Sequence, residues 1–189
     1  MEHVAKPAVI VADMLVDFVS GALANPASQA TIAPTGRLLE GARERGWLVC
    51  YVNDAHLPGD SEERIWGAHA MAGSAGAQVI PELRPQPGDV EFRKRYYSGF
   101  HETGLDMYLR QHGVDCVILT GQHAHICVQH TAGSAFIAGY RIVLAEDCIS
   151  AFTPGDQAAG IAYMEQMYGA VTLNVDSVLV DGFVSDAAR

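Results

Sequence analysis

The sequence predicts a single α/β domain, residues 1–189, built on a mostly parallel six-stranded sheet with helices on both faces. Three observations predict it. Short β-rich runs alternate with longer stretches of helical period, and each of four helical stretches stops at a glycine. A chain of 189 residues has enough length for one well-filled core and too little for two ordinary ones. Strands separated by helices imply right-handed crossovers and a sheet covered on both sides, a Rossmann-like three-layer sandwich.

The elements follow in chain order. Residues 8–12, Ala-Val-Ile-Val-Ala, form the first strand-like run. A helix is predicted over 36–45, with Leu38, Leu39 and Ala42 on one face and Gly46 to end it. A second strand covers 47–52. Residues 54–87 carry Pro58, Gly59, Gly67, Gly73, Gly76, Pro81, Pro85 and Pro87, so this stretch is expected to be a long loop, and long loops inside compact domains are usually functional. The third strand is placed at 90–93. A helix at 103–112 precedes Gly113 and the strand at 116–120. A helix at 126–138 precedes Gly139 and the strand at 141–144. The last helix, 156–168, presents Ile161, Met164 and Met167 in register before Gly169, and a sixth strand follows at 171–175.

Charge narrows the function. The net charge of −10 disfavours duplex nucleic acid or an anionic membrane as a partner, because both demand a basic face. No apolar run reaches the length of a membrane span, and the first residues lack the charged-then-apolar pattern of an export signal, so a cytoplasmic location is expected. The four cysteines have no CxxC spacing. Cys50, Cys116 and Cys148 lie in or at the ends of apolar runs and read as small buried hydrophobes.

In parallel sheets ligands bind beyond the carboxyl ends of the strands. Four chemically capable side chains fall there: Asp13, Asp54, Lys94 and Cys127. Cys127 follows a strand and a tight turn and begins a helix, where unpaired amides and the helix dipole favour a thiolate and are expected to lower its pKa. The alternative is a buried structural thiol. Asp13, closing an apolar run, suits a general base that takes the thiol proton and returns it to a leaving amine. Otherwise it is a structural cap. Lys94 is flanked by Arg93 and Arg95, and strand alternation points it away from both, so it can face a site that they do not. Asp54, His56 and His69 offer one carboxylate and two imidazoles, a set that suits Zn²⁺ or a similar divalent metal. Phe18, Trp66, Tyr97 and His125 are candidates for the substrate pocket, although His125, two residues before Cys127, shares no helix face with it.

The motifs resemble those of the isochorismatase-like cysteine hydrolases, the family that includes the nicotinamidases. Asp13-Met-Leu-Val-Asp-Phe18 is similar to the family's D-M-Q-x-D-F opening. The stretch from Lys94 to Phe100 resembles its K-x-x-x-S-x-F element, and Thr120-Gly121 through Cys127-Val to Thr131-Ala resembles its nucleophile motif, with Asp147 also similar. The match spans about residues 7–176. The resemblance implies a Cys127–Asp13–Lys94 triad and a thioester intermediate in hydrolysis of a small nicotinamide-, carbamoyl- or ureido-type amide. It implies an oxyanion hole near Gln122, His123 and Ala124, with a cis peptide at Gln122–His123. It also implies a metal, zinc first, on Asp54, His56 and His69, no organic cofactor, and a homodimer or homotetramer. Leu15, Val16 and His125 depart from the nicotinamidase pattern, which puts nicotinamide itself in doubt. Two other readings compete: ether hydrolysis by Asp13 without the cysteine, and a catalytically silent binding protein on the same fold.

Overall fold

A computed structural model describes residues 6–180; the one-domain reading of 1–189, and the reading of the first residues as lacking an export signal, extend outside them. Six strands form one all-parallel sheet in the order β3-β2-β1-β4-β5-β6. They are β1 Pro7–Ala12, β2 Leu48–Asp54, β3 Val90–Lys94, β4 Cys116–Gln122, β5 Arg141–Ser150 and β6 Val171–Leu173.

Side-chain alternation divides the core. Val9, Val11, Val49, Tyr51, Ile118 and Val143 pack on one face against helices α2 (Ser28–Glu44) and α7 (Val175–Val178). Ala8, Ile10, Cys50, Val52, Val117, Leu119 and Leu144 pack on the other, against α4 (Leu105–Gln111), α5 (Gln129–Ile137) and α6 (Pro154–Tyr168). Two short helices, α1 (Val16–Val19) and α3 (Glu63–Trp66), lie in the loops after β1 and β2. Because both faces of each inner strand are buried, the strands read as continuous apolar runs.

Most boundaries shift by one to three residues from the sequence reading, and the following differences have a clear physical reason. Helix α2 starts at Ser28, eight residues before the predicted start, and contains Pro34. Its first turns bury Ser28, Thr31 and Thr35 rather than aliphatic side chains, so no apolar period marks them. Strand β5 runs to Ser150, well past residue 144, because a register shift opposite Leu119–Gly121 carries it through Glu146 and Asp147. Asp147 is therefore inside the strand, where Oδ1 accepts from the amide of Val175 at 3.0 Å. The sixth strand ends at Leu173, and Asn174 caps α7 instead by accepting from Ser177 N.

Crossovers leave β1 and β4 in opposite directions across the sheet, so a crevice opens at their carboxyl ends. Gly121 makes that junction close. Its φ is +100°, and a Cβ there would stand 1.9 Å from the carbonyl oxygen of Ala12.

Candidate active site

Four strand ends converge on one buried cluster. Asp13 follows β1 with φ 53°, a left-handed conformation that aspartate tolerates better than most residues. Asp54 and Lys94 are the last residues of β2 and β3 and are register partners across that pair. Lys94 Nζ forms an ion pair with Asp13 Oδ2 at 2.8 Å, donates to Asp54 Oδ1, and lies 3.6 Å from Cys127 Sγ. Side-chain alternation along β3 holds as expected: Lys94 is buried while Arg93 and Arg95 are exposed. Asp13 Oδ1 accepts from the amide of Asp54 at 2.8 Å. An oxygen of Asp13, an oxygen of Asp54 and Cys127 Sγ all lie within 4.8 Å of one another.

Cys127 sits in a π turn, Ala124–Val128, that leads into α5. The peptide bond Gln122–His123, at the end of β4, is cis. Gln122 anchors this corner. Its side-chain amide donates to the carbonyl of Asp13 at 3.2 Å, and its Oε1 accepts from Asn25 Nδ2 and Ser150 Oγ at 3.3 Å each and from Ser28 Oγ.

Charge in the cluster corrects one expectation. Burial pushes the Cys127 thiol well up, and the nearby carboxylates add to that, against the opposing pull of Lys94. A single ammonium faces two carboxylates, so a thiolate would add a second uncompensated negative charge to a buried site. Burial and the two carboxylates thus favour the thiol over the thiolate in the resting site. Burial and the charge of Asp54 likewise raise Asp13 to about 6, although Lys94 pulls the other way. For Asp54 the penalty of burial is outweighed by Lys94 and His56, which hold its carboxyl below the usual range. Burial alone would lower Lys94, but Asp13 and Asp54 hold its ammonium charged.

Beside the cluster stands a second one. One ligating atom each of Asp54, His56, Glu62 and His69 lies within 4.8 Å of all the others, and all four residues are buried. Both ring nitrogens of His56 lack a hydrogen-bond partner in the protein, with Asp54 Oδ2 and Glu62 Oε2 at 3.5 and 3.7 Å from Nε2. His69 Nδ1 meets the carbonyl of Gly67 at 2.7 Å, which aims its other ring nitrogen inward. Glu62 was absent from the sequence reading because it lies in an acidic run with Asp60 and Glu63 that reads as a solvated surface. Burial raises it to about 7, with the charge of Asp54 adding to the effect.

A narrow cavity opens over both clusters, lined by Phe18, Trp66, Tyr97, Phe152, His123 and Cys127 among others. Phe18, Trp66 and Tyr97, pocket candidates from the sequence, are among these lining residues. His125 does not line the cavity. It follows the cis bond by two residues and is half-buried, its ring centroid 6.1 Å from that of Phe152. Phe152 was missed because β5 was ended too early; correct placement of that strand end would have found it.

A buried thiol, carboxylate and ammonium thus meet beside an aromatic cavity at the switch point of a parallel α/β sheet. The chain belongs to the isochorismatase family: the family's Isochorismatase domain matches residues 7–176. It is similar to the crystal structure of N-carbamoylsarcosine amidase from Thermoplasma acidophilum, with 43% identity, 94% of this chain and 99% of that one covered, and a TM-score of 0.87. The zinc complex of pyrazinamidase from Pyrococcus horikoshii is 27% identical over 89% of this chain and 99% of that one, with a TM-score of 0.83. Ureidoacrylate amidohydrolase of Variovorax paradoxus is 29% identical, covering 98% of this chain and 83% of that protein. Among the described residues no helix is long and apolar enough to cross a membrane.

Proposed function

We propose that this enzyme hydrolyses the C–N amide bond of a small molecule through a thioester on Cys127. The observation that carries the reading is the contact set of Lys94 Nζ, 2.8 Å from Asp13 Oδ2 and 3.6 Å from Cys127 Sγ, whose residue lines the cavity. Since the resting sulfur is protonated, Asp13 takes its proton as the sulfur attacks the amide carbonyl carbon. As the C–S bond forms, the negative charge passes from the Asp13 carboxylate to the carbonyl oxygen, and Asp13 holds the proton. Amides at the start of the Ala124–Val128 turn have no acceptor earlier in the helix and suit the developing oxyanion. When the tetrahedral intermediate collapses, the C–N bond breaks and the amine leaves with the proton from Asp13. Asp13 then deprotonates a water that cleaves the thioester, restoring the thiol. The amide-cleaving names of the carbamoylsarcosine and ureidoacrylate relatives support this chemistry.

The donor set of Asp54, His56, Glu62 and His69 fits a divalent cation. It offers two imidazoles and two carboxylates, and the buried His56 Nε2, which faces Asp54 and Glu62 without a hydrogen bond, is what a metal would satisfy. A zinc ion there would polarise or orient substrate when bound. The exposed side chains of Phe136 and Ile137 on α5 and Tyr163 and Met167 on α6 support a homodimer or homotetramer. Four unpaired cysteines support a reducing, cytoplasmic location.

The test is ammonia release from a panel of primary amides, N-carbamoyl and ureido compounds. Wild-type protein releases ammonia from at least one class, and Cys127→Ala releases none while keeping its thermal midpoint. Turnover surviving in that variant overturns the thioester reading.

A further inference from the structure

The cavity walls are ring systems from five separate segments: Phe18 in α1, Trp66 in α3, Tyr97 after β3, His123 after β4 and Phe152 after β5. Trp66 Nε1 donates to the hydroxyl of Tyr97 at 3.1 Å, which fixes both rings. The His123 ring stacks on Phe152, with centroids 3.9 Å apart and planes inclined by 25°, and takes Phe18 edge-on at 5.9 Å. Packed on two sides, His123 is 4% exposed, and its Nε2 has no hydrogen-bond partner in the protein. A buried polar atom in that condition calls for an explanation, and a ligand atom is the one the cavity offers.

Charge says what kind of ligand. Asp54 and Glu62 line the cavity, and no lysine or arginine is among its lining residues. The nearest ammonium, Lys94, is already shared by Asp13 and Asp54. A divalent cation on the neighbouring donor set would bring its two carboxylates to neutrality and leave no surplus positive charge. Burial, with His125 adding to it, lowers His123 to about 4, so its imidazole is neutral near pH 7 and supplies no charge either.

We propose that His123 is a specificity-determining residue whose Nε2 hydrogen-bonds an uncharged polar atom on the non-reacting part of a flat, uncharged amide. This rests on the amide-hydrolase reading above. It places the selective contact on the residue that ends the cis peptide, held flat by Phe152.

The test compares nicotinamide with benzamide, which share a shape and differ by one ring nitrogen, and with succinamate, an amide that carries a carboxylate. The full chain, His123→Phe and His123→Asn are assayed for kcat and KM. Wild type is expected to favour nicotinamide over benzamide by about tenfold, the worth of one hydrogen bond, and to turn over succinamate more slowly than either. His123→Phe keeps the stack and loses the preference, chiefly through KM, while His123→Asn recovers part of it. Calorimetric binding of nicotinamide and benzamide to Cys127→Ala protein should follow the same ratio without turnover. An unchanged preference in His123→Phe, or succinamate as the best of the three, overturns the inference. Turnover that persists in Cys127→Ala contradicts the thioester reading instead and leaves the binding comparison to decide on His123.

Discussion

The main-chain amide of Asp54 donates to Asp13 Oδ1 at 2.8 Å, so the end of β2 holds the carboxyl at the end of β1. The side chain of Asp54 meanwhile accepts from Lys94 with one oxygen and faces His56 Nε2 at 3.5 Å with the other. One residue thus joins the Cys127–Lys94–Asp13 cluster to the proposed metal donors, and a change on either side reaches the other through it.

The pH dependence follows from Asp13. As the proposed base it must be ionised, and its carboxyl is raised to about 6 by burial and Asp54. Below that pH the protonated form accumulates, so kcat/KM should fall about tenfold per pH unit on the acid side and be flat above it. In Asp13→Asn the rate should drop by roughly 10²–10⁴-fold and the acid limb should vanish. A pH–rate profile of both proteins checks this, and an unshifted limb near 4 would contradict the assigned base.

Removing Lys94 leaves two buried carboxylates facing each other without a counter-charge. Lys94→Met should therefore cost about 3–5 kcal/mol in urea unfolding at pH 7. Adding Asp54→Asn to that variant should restore much of the loss, because one of the unpaired charges goes. Equal stability of the single and double variants would show that the cluster's charges are not coupled as described.

Alkylation should separate the four cysteines. Cys50, Cys116 and Cys148 are fully buried, and burial raises each to about 12. Cys127 is also raised but lines the cavity beside a base. Iodoacetamide at neutral pH should modify Cys127 first in the native protein, as read by peptide mass spectrometry. Modification of Cys50 or Cys116 at a similar rate would contradict the geometry.

The donor set beside Asp54 predicts a metal effect. Equimolar Zn²⁺ added to chelator-treated protein should raise its Tm by several degrees, through binding to the folded state alone. His56→Ala should abolish that rise. A wild-type Tm indifferent to zinc, manganese and iron would remove the metal proposal and leave the thiol chemistry intact.

Much of this was legible in the sequence wherever a side chain's role is set by its place at a strand end. Asp13, Asp54, Lys94 and Cys127 each close or follow a strand-like run, so the rule for parallel sheets points to them without coordinates. What stayed hidden depended on contacts distant in sequence. Ser28, Thr31 and Thr35 are buried polar residues, so the first turns of α2 showed no apolar period. Glu62 and Phe152 owe their roles to burial and to where β5 ends, neither of which a local pattern records. The thiol's pKa was read in the wrong direction because helix-end logic is local, whereas the opposing carboxylates arrive from β1 and β2.

The most direct measurement is acid-quenched mass spectrometry of the enzyme caught in turnover with the amide that the panel identifies. An acyl mass on the peptide containing Cys127, formed and lost at rates compatible with kcat, is the predicted result. Turnover at full rate with no adduct on Cys127, together with activity retained in Cys127→Ala, would contradict it.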